Sequence, residues 1–235
     1  GDRKRLCCHG TATGTATGAS TRTAILTEIV ELDDSMTTGQ QTVFRAIEEG
    51  KNVFLTGAAG AGKSYLLKQL PRIPKKVVLT ALTGAAGFNI GCMTIHSFGA
   101  LGLADQPIET IIKRAKWVAK DRWLDVDILV IEEISMCSDT LFGIINAVAK
   151  AVRGNASAPF GGLQVVVCGD FRQLPPVPAP GQQPLKYAFE SAAWAECGFT
   201  SYFLEGNRRQ GAGALLNHLN VVRKGVCPPD TFAFF

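Results

Sequence analysis

Asn52-Val53-Phe54-Leu55-Thr56-Gly57-Ala58-Ala59-Gly60-Ala61-Gly62-Lys63-Ser64 is the stretch on which the fold turns. The first five residues form a short run of strand type, and from Gly57 the chain matches G-x-x-x-x-G-K-[ST] before a helical pattern sets in over residues 63–70. In that order the glycines let the backbone turn sharply. Successive N–H groups of Gly57, Ala58, Ala59, Gly60, Ala61 and Gly62 then point inward at phosphate oxygens, at the amino end of a helix. Lys63 reaches the β and γ phosphates, and the Ser64 hydroxyl is placed to bind Mg²⁺. The plainer reading of the same residues is a glycine-rich turn that only caps a helix. The strand before it and the helix after it favour a nucleoside triphosphate site.

Outward from this loop the chain alternates. Apolar runs at 76–81, 128–131 and 163–168 are each followed by a helical or proline-rich segment: a helix near Gly84, a helix over 140–152, and Gly169-Asp170-Phe171-Arg172-Gln173-Leu174-Pro175-Pro176. Strands that are apolar without alternation are buried on both faces, as in a parallel sheet covered by helices on either side. The expected class is α/β, a P-loop NTPase with a doubly wound, mostly parallel sheet.

A triphosphate site of this kind needs acids at the end of another strand, one to hold Mg²⁺ and one to activate water. Asp127-Ile128-Leu129-Val130-Ile131-Glu132-Glu133 provides them: Glu132 on the metal side and Glu133 as the base. Gln173, after the 163–168 strand, is the candidate γ-phosphate sensor, because one fixed amide can report the phosphate and the following prolines stiffen the segment that carries the signal.

Five ordered blocks then make a resemblance specific: MTTGQQTVFRAIEEGKNVFLTGAAGAGKS from Met36, LTALTGAAGFNIGCMTIHSFGALGL from Leu79, LVIEEISMCSDTLF from Leu129, PFGGLQVVVCGDFRQLPPV from Pro159, and FESAAW with NRRQ and LLNHLNVVRKG beyond it. Over about residues 36–226 the chain resembles the petite-integration-frequency (Pif) helicases, 5′→3′ DNA motors of superfamily 1B, with RecD-like enzymes as relatives. The resemblance implies that Gln40 reads adenine and that Arg209 approaches the γ-phosphate. It also implies that Thr83, Gly84, Thr94, His96, Ser97 and Phe98 contact single-stranded DNA, hydroxyls and N–H groups following phosphates while His96 and Phe98 offer flat faces to bases. Gln40 as a surface residue and His96 as a core residue are the ordinary alternatives. The family has Asp-Glu where this chain has Glu132-Glu133. The added methylene shifts the carboxylate by about 1.5 Å against the strict octahedral demands of Mg²⁺, from which weakened hydrolysis with retained nucleotide binding is expected.

Composition agrees with a globular chain. Of 235 residues 46% are hydrophobic and the net charge is only +4, but residues 56–124 hold ten basic side chains against three acidic ones. Such a local surplus points to a phosphate-rich partner or to a solvated basic helix face at 113–122. Seven cysteines, an odd number without repeated spacing, fit a reducing intracellular compartment, and the resemblance implies the nucleus or mitochondrion if the source is eukaryotic. Cys7-Cys8-His9 lacks a second ligand pair at finger spacing. The longest uncharged stretch, residues 77–104, is broken by glycines and polar groups, so no membrane span is expected. Residues 1–35 are basic and then low in complexity, with the tandem TATGTATG, and are expected to be disordered; residues 36–235 form the expected ATP-binding domain. The start at Gly1 and the apolar end Thr-Phe-Ala-Phe-Phe read as cut termini.

The resulting expectation is the first motor domain of an ATP-dependent DNA helicase serving repair, recombination or telomere maintenance. It would use ATP and Mg²⁺, bind single-stranded DNA, and close against a second RecA-like domain absent from this sequence. The rivals are a nucleotide-gated single-stranded DNA-binding module without motor activity, and the helicase region of a transposon or conjugative protein.

Overall fold

The computed structural model describes residues 35–205, 218, 221–223 and 225–234. The basic, low-complexity segment expected over residues 1–35 lies outside these save for Ser35, as do the Cys7-Cys8-His9 cluster and Arg209.

Helix α1 (Thr38–Glu48) opens the domain. There follow β1 (Val53–Gly57), α2 (Lys63–Gln69), β2 (Val77–Ala81), α3 (Gly84–Ile90), the two-residue β3 (Met93–Thr94) and α4 (Ile95–Gly99). Two helices, the basic α5 (Ile108–Val118) and α6 (Lys120–Asp125), lead into β4 (Ile128–Glu132). Helix α7 (Asp139–Arg153), β5 (Gln164–Cys168), α8 (Ala192–Cys197) and β6 (Thr200–Leu204) complete the sheet layers. The strands form one sheet in the order β3-β2-β4-β5-β1-β6, and every pairing in it is parallel. The short β3 and the edge strand β6 were not among the strands expected from the apolar runs, since neither is a continuous buried stretch: Thr200, Ser201 and Phe203 are exposed.

The absence of alternation in the inner strands has its cause in the two-sided cover. All five residues of β4 are buried. Leu129 and Ile131 join Val165 and Val167 in the core formed with α5, α6, α7 and α8. Their neighbours Ile128, Val130 and Val166 point to the opposite side. Helix boundaries follow capping chemistry. Ser138 accepts a hydrogen bond from the Leu141 N–H at the start of α7, Asp139 sits in its first turn, Lys150 and Arg153 in its last, and Gly154 ends it in the left-handed region.

Gly57 marks where β1 must give way to the loop. A Cβ there would lie 2.5 Å from the Leu204 carbonyl oxygen, so only glycine lets β6 run this close to the mouth of the loop.

Candidate active site

The strand order brings the expected chemistry together. Strands β4, β5 and β1 are consecutive neighbours in the sheet, so the carboxyl ends that carry Glu132, Asp170 and the 57–64 loop lie side by side, each about 4.8 Å from the next. A polar cavity of about 180 Å³ opens there. It is lined by Ala59, Gly60, Lys63, Ser64, Glu132, Glu133, Cys168, Gly169, Asp170 and Gln173.

Within the loop Gly60 and Gly62 have φ of 84° and 86°, a left-handed conformation that orients the backbone around the cavity. Lys63 folds back over the loop, donating from Nζ to the carbonyls of Gly57 at 2.7 Å and Ala58 at 3.1 Å. The Ser64 hydroxyl donates to Glu132 Oε1 at 2.9 Å. The longer acid thus reaches the hydroxyl directly and occupies the oxygen through which the loop would bind Mg²⁺. Burial raises the Glu132 carboxyl above its usual range and Glu133 adds to the shift, while the Ser64 hydrogen bond and the Lys63 and Lys68 charges oppose it. A buried carboxylate pushed in this direction gains most from a cation beside it. Glu133 sits at φ 59°, ψ 40°, a strained position for a residue with a Cβ, which turns its side chain out of the strand line and into the cavity lining.

Gln173 belongs to a network that sequence reading did not anticipate. Its Nε2 donates to Asp170 Oδ2 at 3.2 Å, and its backbone N–H donates to the Asp170 carbonyl at 2.8 Å. Arg223 grips the same carboxylate with both arms, Nε to Oδ2 at 2.6 Å and an Nη to Oδ1 at 2.8 Å. Asp170 is only 2% exposed. Burial alone would raise its carboxyl, but the hydrogen bonds from Arg223, the Arg172 N–H and Gln173 outweigh that and hold it below the usual aspartate range. Phe171 turns the other way, edge-on to Tyr187, Phe189 and Trp194. The segment around Gln173 is thus pinned on both sides, with Gln173 lining the cavity. Asp170 was visible in the sequence as a polar residue at a strand end. Arg223 had no local signal, because its partner lies 53 residues away.

Gln40 is not a surface residue. It is fully buried, forms a reciprocal capping box with Thr37 and donates from Nε2 to the Gly62 carbonyl at 3.0 Å. Its amide therefore braces α1 against the phosphate loop.

The residues matched to DNA contacts divide. Thr83 and Thr94 cap α3 and α4, accepting from the Ala86 and Ser97 N–H groups, and the Thr94 hydroxyl also donates to Ser97 Oγ. Gly84 faces open space. His96 lines a second cavity of about 270 Å³ with Ser138, Thr140, Pro176 and Val177, joining α4 to the proline segment beyond Gln173. Burial lowers the His96 pKa. Phe98 departs from the expectation. It is 2% exposed and packs edge-on against the buried Trp123 at 4.9 Å, so its face is spent on the core and is not open to a base. The apolar spacing of α4 against α6 wins here over the motif match.

Among the described residues Cys92, Cys137, Cys168, Cys197 and Cys227 are free thiols. No described helix is long and apolar enough to cross a membrane, and no described cluster of three or more His, Cys, Asp or Glu has metal-binding geometry.

The PIF1-like helicase family model matches residues 35–219. The chain is 42% identical over 196 residues to the human ATP-dependent DNA helicase PIF1, covering 81% of this chain and 30% of that protein. A crystal structure of Pif1 helicase from Candida albicans superposes with a TM-score of 0.78 at 39% identity, covering 85% of this chain and 47% of the other. One of Bacteroides Pif1 in complex with ADP-AlF3 and single-stranded DNA gives 0.70 at 28% identity, covering 85% and 48%. The chain thus spans about a third of the length of the curated relatives it matches and about half of the solved chains.

Proposed function

The chain belongs to the PIF1-like helicase family, and on that premise we propose that it is the nucleotide-binding motor half of an ATP-dependent DNA helicase. It would bind Mg-ATP in the 180 Å³ cavity, hold single-stranded DNA on the α3–α4 side of the sheet, and close against a second RecA-like domain. The observation that carries the reading is the Ser64–Glu132 contact at 2.9 Å, which joins the phosphate loop to the acidic strand end in the same cavity as Gln173.

Ser64 and Glu132 would hold Mg²⁺, which when bound neutralises charge on the β and γ phosphates. Lys63 exchanges its two loop carbonyls for phosphate oxygens. Glu133, turned into the cavity, accepts the proton of the attacking water. The Gln173 amide reports the γ-phosphate and is held to that task by Asp170, itself fixed by Arg223. Arg209 would approach the same phosphate. An arginine finger from the second domain would add about 10³ to 10⁵ in turnover, so this chain alone hydrolyses slowly. In the cell the protein would act in repair, recombination or telomere maintenance, in the nucleus or mitochondrion, and with 5′→3′ polarity.

Single-turnover ATP hydrolysis, with and without an oligothymidine, tests the reading. The expected result is slow turnover that the oligonucleotide accelerates and that Glu133→Gln abolishes. Nucleotide binding without any DNA-stimulated turnover would replace the motor with a nucleotide-gated DNA-binding module.

A further inference from the structure

The basic residues of α5 and α6 divide into two groups. Arg114 and Arg122 turn inward: Arg114 donates to the Ala100 carbonyl at 2.8 Å and also to that of Leu101, and Arg122 donates to the Ser97 carbonyl at 2.7 Å. These bonds fasten α5 and α6 to α4 and its flanking loop, the block that carries Thr94 and Ser97. The lysines turn outward. Lys113, Lys116 and Lys120 are exposed, and no ion pair or hydrogen bond of theirs is found among the described residues.

On the same outer face stands Trp117, 90% exposed, while Ile111, Ala115 and Ala119 are buried on the opposite one. Relative to the indole Lys113 falls one turn before it and Lys116 beside it, about 4.5 Å apart along α5. Lys120 opens α6 just past the break at Ala119 (φ −126°, ψ 9°), so the three ammonium groups are strung along a path that successive phosphates of one strand can follow. A bare indole among unpaired ammonium groups suits a ligand that alternates anionic groups with flat apolar faces. Ile112 and Val118 line the hollow beside the ring, and it is the positive charge of three unpaired lysines, against the single Glu109 in that lining, that selects a polyanion over an uncharged apolar partner.

We propose that the outer face of α5 is a second single-stranded nucleic-acid contact, with Lys113, Lys116 and Lys120 on backbone phosphates and Trp117 stacked on a base. Because the two arginines tie α5 and α6 to α4, a strand held at the α3–α4 block continues over α5 without a joint between them. The inference rests on the proposal that single-stranded DNA is the ligand of that block.

The test uses this chain with a fluorescein-labelled sixteen-residue oligothymidine, reading label anisotropy and, with unlabelled oligonucleotide, tryptophan emission. Trp123 is fully buried and the half-buried Trp194 is packed among Phe54, Phe142, Phe171 and Phe199, so emission at long wavelength comes chiefly from Trp117. The oligonucleotide is expected to quench that emission, and Trp117→Phe to remove the quenching. The triple variant Lys113→Glu/Lys116→Glu/Lys120→Glu should weaken binding at least tenfold and lower the salt slope by about 2. All three positions are solvent-facing, so circular dichroism and ATP binding should match the parent. Binding by anisotropy with no tryptophan quenching and an unchanged salt slope in the triple variant would overturn the α5 contact and leave the proposed function standing. Quenching by polyglutamate as strong as by oligothymidine would reassign the face to an acidic polypeptide and so overturn it. No oligonucleotide binding by the parent at all would overturn both.

Discussion

Glu132→Asp shortens the metal-side acid by one methylene. The carboxylate then withdraws along its stem by about 1.5 Å, and its separation from Ser64 Oγ, now 2.9 Å, widens to about 4.4 Å. That is beyond hydrogen-bond reach and wide enough for water to enter between the two groups. Losing the hydrogen bond costs about 1 kcal/mol of stability, which lowers the melting temperature of a domain this size by about 2–4 °C. Turnover should move the other way. In the parent, Glu132 competes for the Ser64 hydroxyl and sits about 1.5 Å beyond the place an aspartate would occupy, and misplacement on this scale costs up to about 10²-fold in rate. Restoring the shorter acid should raise single-turnover hydrolysis about tenfold, equivalent to about 1.4 kcal/mol in the barrier. Rapid-quench assays at saturating Mg-ATP with oligothymidine present, beside thermal melts of both proteins, make the comparison. A fall in melting temperature with unchanged or slower turnover would refute the reasoning, and the longer side chain would then be matched to its site.

Three further outcomes follow from the same contacts. Arg223→Ala leaves the buried Asp170 carboxylate with only Gln173 and the Arg172 N–H, and should cost about 3 kcal/mol in chemical denaturation at pH 7. Because the folded Asp170 pKa is depressed, the parent's advantage over this variant is complete above the ordinary aspartate value of 3.8 and shrinks as pH falls through the folded value; an advantage that grew on acidification would contradict the assignment. Gln40→Ala removes the capping box and the Gly62 brace, so nucleotide titrations should show weaker binding of ATP and GTP alike. A loss confined to adenine nucleotides would instead assign Gln40 to reading the base. Phe98→Ala should destabilise the fold by about 3–5 kcal/mol in urea melts, far beyond the effect of removing a solvent-facing stacking ring.

What was legible in the sequence was what local pattern controls. Apolar runs marked β1, β2, β4 and β5 because the inner strands are covered by helices, most completely at β4 and β5, and the phosphate-loop spacing placed Lys63 and Ser64 because that geometry is nearly all backbone. Strand β6 escaped notice because it is an edge with exposed Thr200, Ser201 and Phe203. Phe98 was misjudged because a motif match does not tell which way a side chain on a five-residue helix turns. That depends on Trp123, 25 residues on, waiting in the core. Gln40 and Arg223 make their decisive contacts 22 and 53 residues away, and contacts at that distance leave no periodic trace. The basic surplus over residues 56–124 could not be apportioned from charge alone. Only the fold separates arginines that brace α4 from lysines that face solvent.

The account stands on one cavity being a Mg-nucleotide site, and the most direct measurement is calorimetric titration of a non-hydrolysable ATP analogue into the parent and into Lys63→Ala, each with Mg²⁺ and with EDTA. The prediction is saturable one-to-one binding by the parent, weakened at least tenfold by EDTA and abolished in Lys63→Ala, with no change in the variant's fold. Absence of binding by the parent, or binding indifferent to both Mg²⁺ and Lys63, would contradict it.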